Sequence, residues 1–569
     1  MSEESTRLER DRRAVESVAG KGPLAKAATY TRLSGPGWLQ SAITLGGGSL
    51  AGGLYLGVLA GYGLMWLQPL AMLMGVAMLA AIAYVTLSTG RRPFRLVVDE
   101  VNPVLGWAWA IATLMANVVW CLPQFALGTA ALQQNLLPEV LAGGTGKQIA
   151  VAGIAVVALL TIISYERGGS GMKVFEAVLK LLVGVIVLSF IGVVVKLSGV
   201  AEGGIDWGAV LAGFLPDWQT ISAPPAALRD GIAATGEASG FWVDLIQGKR
   251  TDVMLTAAAT AVGINMTFLL PNSLLDRGWD RSFRGLAVYD LSIGLFVPFL
   301  IATSCVVMAS AAQFHGRYNE ALVATEPTPA AAGEVASGKA AAAYLDLLDQ
   351  RLASEHGVGD VAAWKQDGAI AQRRAALPDA DKRMAAILVE RDSDDLAEAL
   401  QPLVGDEFAQ YVFGIGVLAM ALSTIVVLML INGYVVTEVL GAPHRGKLHF
   451  AGALVPLVFG AIAPFVWTKA MFYLAVPTSV FGMVLLPIAY VTFIMLMNNR
   501  RVLGAATPTG GWRVTINLVL GLAVLLATIG ACVSIGNKAP LLGSGCAAAL
   551  ILLALVFRRK GDKPLPAAD

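Results

Sequence analysis

Residues 41–53 read Ser41-Ala42-Ile43-Thr44-Leu45-Gly46-Gly47-Gly48-Ser49-Leu50-Ala51-Gly52-Gly53, and residues 263–273 read Gly263-Ile264-Asn265-Met266-Thr267-Phe268-Leu269-Leu270-Pro271-Asn272-Ser273. Each stretch sits inside a run apolar enough to cross a bilayer, and each carries residues that oppose a helix. A glycine costs up to ~1 kcal/mol against alanine in a helix interior, so three in a row favour unwinding. Pro271 has no N–H and clashes with the preceding turn. The interruptions fall in the first and sixth apolar runs, five helices apart. Broken helices at matching positions of two halves mark an inverted-repeat transporter with its site near the bilayer midplane. Close helix packing also uses glycine, and that reading suits Gly52 and Gly53.

Composition agrees with a membrane bundle. Of 569 residues, 56% are hydrophobic and 14% are charged; soluble domains carry roughly 25% charged residues. Twelve apolar runs are long enough to span, at about 36–59, 62–89, 104–136, 148–165, 172–197, 252–275, 285–311, 408–438, 448–467, 470–497, 513–535 and 539–557. A hydrocarbon core of ~30 Å needs ~20 residues of helix, and helices satisfy their own backbone groups in lipid. The fold class is therefore an all-α polytopic membrane protein with about 12 transmembrane helices. The net charge of +1 and the lack of a basic stretch with interleaved aromatics argue against a nucleic acid partner. Cys121, Cys305, Cys532 and Cys546 lie in apolar runs without metal or disulfide spacing. With no Ser/His/Asp set and no phosphate loop, neither an enzyme nor a cofactor is expected.

Lys and Arg set the orientation. Placing Arg7, Arg10, Arg12 and Arg13 in the cytoplasm also puts Arg91, Arg92, Arg167, Lys173, Arg277, Arg281, Arg284, Arg445, Lys447, Arg500, Arg501 and 558–560 there. The N-terminus lacks the apolar core of a signal peptide. The expected organisation is a cytoplasmic segment 1–33, seven spans in 34–311, an extracytoplasmic helical insertion 312–407, spans 8 to 12 in 408–558, and a cytoplasmic tail 559–569. Both termini lie inside, in a plasma or inner membrane; the oligomeric state is open. The insertion carries 17 acids against 9 bases. Ala340–Leu352 and Met384–Leu400 have helical periodicity, and a Pro/Ala/Gly-rich linker, Thr325–Gly338, leads in. Residues 198–250, with Trp207, Trp218 and Trp242, read as an interfacial cap.

On these motifs the chain resembles the NRAMP (natural resistance-associated macrophage protein) family. The likeness begins at Gly35-Pro36-Gly37 and keeps register through Gly57, Ala60, Gly61 and Tyr62. It continues at Lys173 with Glu176-Ala177, Asp290, Ser423-Thr424, Gly433-Tyr434-Val435 and Asn499-Arg500-Arg501-Val502-Leu503-Gly504. The resemblance implies the ten-helix inverted-repeat fold with extra C-terminal spans, and a divalent-ion site made by the Asp and Asn of a DPGN motif, a backbone carbonyl and a Met sulfur. In register, Gly46 replaces that Asp and Ser49 that Asn. Aligning the family's Met-Pro-His with Leu270-Pro271-Asn272 puts the carbonyl at Thr267 and Leu270 in place of the Met. A rival register sets Met266 on the Met but loses Pro271. The family's helix 6 histidines have no counterpart; His315, His356, His444 and His449 fall in loops or at their edges. Helix 3, reading Leu122-Pro123-Gln124-Phe125, lacks the carboxylates of a proton relay.

The substrate expectation follows from that loss. A dehydrated divalent ion needs anionic or strongly donating ligands, and a soft one favours sulfur. Gly46, Gly47, Gly48, Ser49, Thr267, Leu270, Asn272 and Gln124 supply hydroxyls, amides and backbone only. Exposed N–H groups at a half-helix N-terminus suit a carboxylate. The leading expectation is a small organic, carboxylate-bearing, amino-acid-like solute with no metal bound; the alternatives are a magnesium or manganese transporter and a non-transporting receptor. On this reading Gly47→Leu blocks binding without unfolding the protein. Asp290 either pairs with Arg284 or couples transport, Glu176 pairs with Lys180 at i,i+4, and Gln124, Gln133 and Gln134 line the cavity or bond between helices.

Overall fold

The computed structural model describes residues 3–167, 169–199, 204–324, 338–391, 408–467 and 471–557, and every regular element among them is helical. The first span is a pair, α1 (Pro36–Thr44) and α2 (Gly47–Ala60), bent by 53° at the break. Next come α3 (Leu67–Thr89), α4 (Pro103–Leu136), α5 (Gly143–Glu166) and α6 (Val174–Ser198). The sixth span is α7 (Ser239–Ala261) followed by α8 (Ile264–Asp276), and the seventh is α9 (Arg281–Phe314). After the insertion helices α10 (Gly338–His356), α11 (Val358–Gln366) and α12 (Asp379–Ile387) run α13 (Gln410–Leu440), α14 (Lys447–Val466), α15 (Ala475–Met497) and α16 (Gly510–Lys538). Counting the bent pair as one, eleven spans reach membrane length among the described residues; the twelfth apolar run forms the 17-residue α17 (Pro540–Val556).

Burial separates core from lipid-facing surface. α13 packs against α4, α6 and α14, and its side chains from Ser423 to Val435 are buried. α16 and α17 lie at the edge and expose Leu518, Leu525, Ile529, Leu541 and Leu552, which in a bilayer is the expected outward face. The segment expected as an interfacial cap holds three short α-helices, and α7 then begins within it at Ser239, well before the expected start of the sixth span.

Both breaks are shorter than expected. Only Leu45 (φ −79°, ψ 57°) and Gly46 (φ −112°, ψ −174°) leave the helix in the first span, while Gly47, Gly48 and Ser49 form the first turn of α2. The N–H groups of a first turn have no intrahelical partner in any case, so helical geometry leaves them as available as an unwound segment would. The second break is at Val262 and Gly263, both extended. Pro271 lies inside α8 and does not end it.

The start of α1 is anchored by α9. Asp290, 1% exposed, accepts from the Gly35 N–H at 3.1 Å, the Gly37 N–H at 2.6 Å and the Ser34 hydroxyl. A carboxylate at a helix N-terminus also answers the positive end of the helix dipole. Gly37 permits this approach: a Cβ there would collide with the Asp290 backbone. Asp290 therefore does not pair with Arg284, whose guanidinium lies 4.3 Å over the Tyr84 ring and donates to Ser88 Oγ. Glu176 pairs with Arg277 at 2.7 Å rather than with Lys180, whose Nζ donates to the Ser34 carbonyl at 3.4 Å. Helical spacing made the i,i+4 pair the nearest guess, and tertiary packing supplied a closer partner.

In the insertion, Ala340–Leu352 falls in α10, while 325–337 and 392–407, including most of the linker and the end of Met384–Leu400, lie outside the described residues. Arg374 grips Asp349 with two bonds of 2.7 Å. Asp290→Ala should orphan three buried donors at about 1–3 kcal/mol each. A marked fall in melting temperature is expected, with Asp290→Asn falling less; equal stability of wild type and Asp290→Ala would remove Asp290 as the anchor of α1.

Candidate functional site

The two breaks meet at a small cavity of about 30 Å³. Its walls are Ile43, Thr44, Gly46, Gly48 and Ser49 from the first span, Thr260, Gly263, Asn265 and Met266 from the sixth, Trp120, Pro123 and Gln124 from α4, Thr424 from α13 and Ser479 from α15. Gly46, Gly48, Ser49 and Gln124, all expected to bind the substrate, thus line this cavity. Gln124 Oε1 accepts from the Gly47 N–H at 2.8 Å, which fixes its amide against the first turn of α2. The Ser49 hydroxyl donates across the break to the Thr44 carbonyl, and the Thr44 hydroxyl donates to Met266 Sδ at 3.2 Å. Asn265 is fully buried; its Oδ1 accepts from the Met266 N–H, while its Nδ2 and Ser479 Oγ have no hydrogen-bond partner among the described residues.

Three expected residues lie elsewhere. Thr267 Oγ1 accepts from Trp109 Nε1 at 2.9 Å and donates to the Ile264 carbonyl. Asn272 Nδ2 donates to the Phe268 carbonyl at 3.0 Å, and Leu270 is buried in the bundle. The residues that the register anchored on Pro271 points to therefore do not line this cavity. The break at Gly263 brings Met266 and Asn265 to the cavity, as the rival register has it, and the expectation that the site lacks sulfur falls with it. Pro271 misled because proline ends most helices, yet here it is accommodated. Gly47 also turns away from the cavity: a Cβ there would strike Leu127 Cδ1 on α4.

Thr424 accounts for the missing acid. A Cβ on Gly46 would collide with Thr424 Oγ1. That hydroxyl points to the carbonyls of Ala42 and Ile43, each at 3.4 Å, which are among the carbonyls a helix C-terminus leaves free. The space next to position 46 is filled by a neutral hydroxyl. The cavity thus presents a thioether, two amides and several hydroxyls, and no cluster of three or more His, Cys, Asp or Glu residues able to hold a metal occurs among the described residues.

A second polar cluster, at the far end of α8, went unread in the sequence. Asp276 accepts from Tyr165 Oη (3.2 Å, α5) and Tyr434 Oη (3.0 Å, α13), with His444 Nδ1 at 3.8 Å. Glu166 accepts from the Gly446 N–H at 2.6 Å and pairs with His449 Nδ1. His444, in the loop between α13 and α14, and His449, in the first turn of α14, are as expected in a loop and at its edge, but both are buried against the Tyr434 ring. Their signal was the placement of Tyr165-Glu166 and of two imidazoles five residues apart at the ends of neighbouring spans. Burial holds His444 below the ordinary imidazole value of 6.5, against the pull of Asp276.

The bent first span, the interrupted sixth and the cavity between them define a membrane bundle of the inverted-repeat transporter type. Residues 37–347 and 382–533 match the family model described as natural resistance-associated macrophage protein-like (Nramp), and the chain belongs to that family. The metal transporter Nramp2 of Arabidopsis thaliana is 31% identical over 164 residues, 28% of each chain. Metal transporter Nramp3.2 of Populus trichocarpa is 29% identical over 168 residues, 28% of this chain and 30% of that one. The chain thus covers under a third of these curated relatives. A crystal structure of the Eremococcus coleocola manganese transporter, in complex with an aromatic bis-isothiourea substituted compound, has the same fold, with a TM-score of 0.61, 16% identity and coverage of 93% and 94%.

Two outcomes follow. Gly47→Leu should overpack against Leu127 and cost about 1–3 kcal/mol, while the protein that folds keeps its ligand response; loss of response at normal stability would return Gly47 to the site. For His444, the folded value lies below the unfolded one, so as pH falls the unfolded chain takes up the proton first. Its neutral form is the one the fold accommodates, and stability should fall as pH drops below about 6.5. Melting temperatures of wild type and His444→Gln across pH 5.5–7.5 check this: the variant should show the smaller acid-side drop, and identical slopes would contradict it.

Proposed function

We propose that this chain is a secondary transporter that moves a divalent metal cation through the cavity between its two broken spans, with the cation keeping part of its water shell. The observation that carries this is Met266, which lines the cavity beside residues of both breaks and whose sulfur accepts from the Thr44 hydroxyl. Family membership and the metal transporters among its relatives support the same reading. They give no support to the amino-acid-like solute expected from the loss of Asp, Asn and Met, and one of those losses is reversed by Met266. Water retention follows from the donor set. Neutral oxygens, amides and a thioether cannot repay full desolvation of a doubly charged ion. A water needs ~10–15 Å³ of such space, so a cavity of about 30 Å³ takes an ion together with about one water. Magnesium, which dehydrates reluctantly, suits the oxygens, and the thioether adds preference for softer ions. Both termini and the basic loops face the cytoplasm on this reading, with the insertion outside.

Uptake by proteoliposomes tests it. Magnesium, manganese and cadmium should enter faster than into empty vesicles. Met266→Leu keeps the volume and removes the sulfur, so cadmium uptake should fall several-fold with magnesium within about twofold. Vesicles that take up labelled amino acids but no divalent cation would overturn the proposal.

A further inference from the structure

Four half-helices start or stop at the cavity. α1 and α7 bring their carbonyl ends to it, and α2 and α8 their N–H ends. A helix carries about half a positive charge at its N-terminus and about half a negative one at its C-terminus. A cation is served by the carbonyl ends, whereas half-helix N-termini attract anions. Gly48 and Ser49 of α2, and Asn265 and Met266 of α8, line the same small space.

Two side chains beside these N-termini have spare donors. Asn265, at the second position of α8, is fully buried, and its Nδ2 has no hydrogen-bond partner among the described residues. Its Oδ1 already accepts from the Met266 N–H at 2.9 Å, so turning the amide over would set one N–H against another. The spare group is therefore a donor, which a bare cation does not accept. Ser479, on α15, is 1% exposed, and its Oγ is also without a partner among the described residues. That oxygen stands beside the first turn of α2, 3.2 Å from where a Cβ on Gly48 would lie. In this turn the Gly48 and Ser49 N–H groups precede the first helical bond, which runs from the Leu50 N–H to the Gly46 carbonyl. Each buried donor left without an acceptor costs about 1–3 kcal/mol, so the set favours an acceptor that meets several of them at once.

We propose that the cavity also binds a chloride-sized monovalent anion, held by Asn265 Nδ2, Ser479 Oγ and the first turns of α2 and α8. This anion supplies the negative charge that Gly46 and Thr424 do not, and it takes the place of a water in the cation's shell. Two N-termini carry about one positive charge between them, which matches a monovalent anion. A cavity of about 30 Å³ restricts the anion to halide size and excludes an organic acid. The site stands on its donors; its part as countercharge rests on the cation reading above.

Two measurements test this. Chlorine nuclear resonance of the purified protein, with gluconate as the balancing anion and no divalent cation, should show excess line width that bromide displaces. Asn265→Leu and Ser479→Ala should each lose most of it, and Ser479→Ala carries this arm if Asn265→Leu does not fold. Coupling between two bound ligands is reciprocal, so magnesium should tighten chloride by the factor by which chloride tightens magnesium, about fivefold or more. In proteoliposomes, magnesium uptake should fall by a similar factor when gluconate replaces chloride. Thr424→Ala/Gly46→Asp, which carries its own carboxylate, should differ less than about twofold between the two media. Equal wild-type uptake in chloride and gluconate, or a wild type without a displaceable chloride signal, overturns the proposal. A chloride signal lost in Ser479→Ala, with no cation uptake in either medium, upholds the anion site and overturns the cation reading instead.

Discussion

Four residues with non-helical backbone, Leu45, Gly46, Val262 and Gly263, sit in the middle of an apolar bundle, and the rest of the architecture answers that constraint. Within lipid, a free N–H or C=O costs several kcal/mol, so irregular backbone survives only where protein or a polar cavity serves it. Here the service is local and specific. Thr424 covers the carbonyls of Ala42 and Ile43, Ser49 reaches back to Thr44, and Gln124 receives the Gly47 N–H. The same groups that satisfy the breaks form the walls of the cavity. A small, partly polar space between the two breaks is thus a consequence of the breaks and not a separate feature.

Neutral walls change what such a space can hold. Where the family resemblance implies a carboxylate, glycine yields its volume to the hydroxyl of Thr424. The exchange removes the charge that would compensate a dehydrated divalent ion, and it keeps oxygen donors for a hydrated one. Met266 stays in place, held by the Thr44 hydroxyl. The site accordingly combines hard, neutral oxygens with one soft sulfur, a pairing that should discriminate weakly among divalent cations and bind each loosely.

The sequence was most legible where a pattern has one physical cause. Eleven of the twelve apolar runs form helices of membrane length among the described residues, and the three glycines at 46–48 announced the first break to within a residue. It was least legible where a residue has two uses. Pro271 breaks helices in general, so it drew the second break eight residues past its real position at Gly263, and Leu270 and Asn272 were carried with it. Gly47 reads as a binding residue in the sequence, yet it is not among the cavity's walls, and a Cβ there would strike Leu127. The partners of Asp290, Glu176 and the histidines depended on which helices lie side by side, which no local spacing reveals.

The central claim is that the cavity holds a divalent cation through neutral donors and retained water. Calorimetric titration of the purified protein in nanodiscs with magnesium and with manganese tests it most directly, with Thr424→Ala/Gly46→Asp as the counterpart that restores a carboxylate and clears room for it. The account predicts weak, millimolar-range binding of both ions to the wild type, within about tenfold of each other, and at least tenfold tighter manganese binding in the double variant. Micromolar manganese binding by the wild type, or tight binding of an amino acid with no response to either ion, would contradict it.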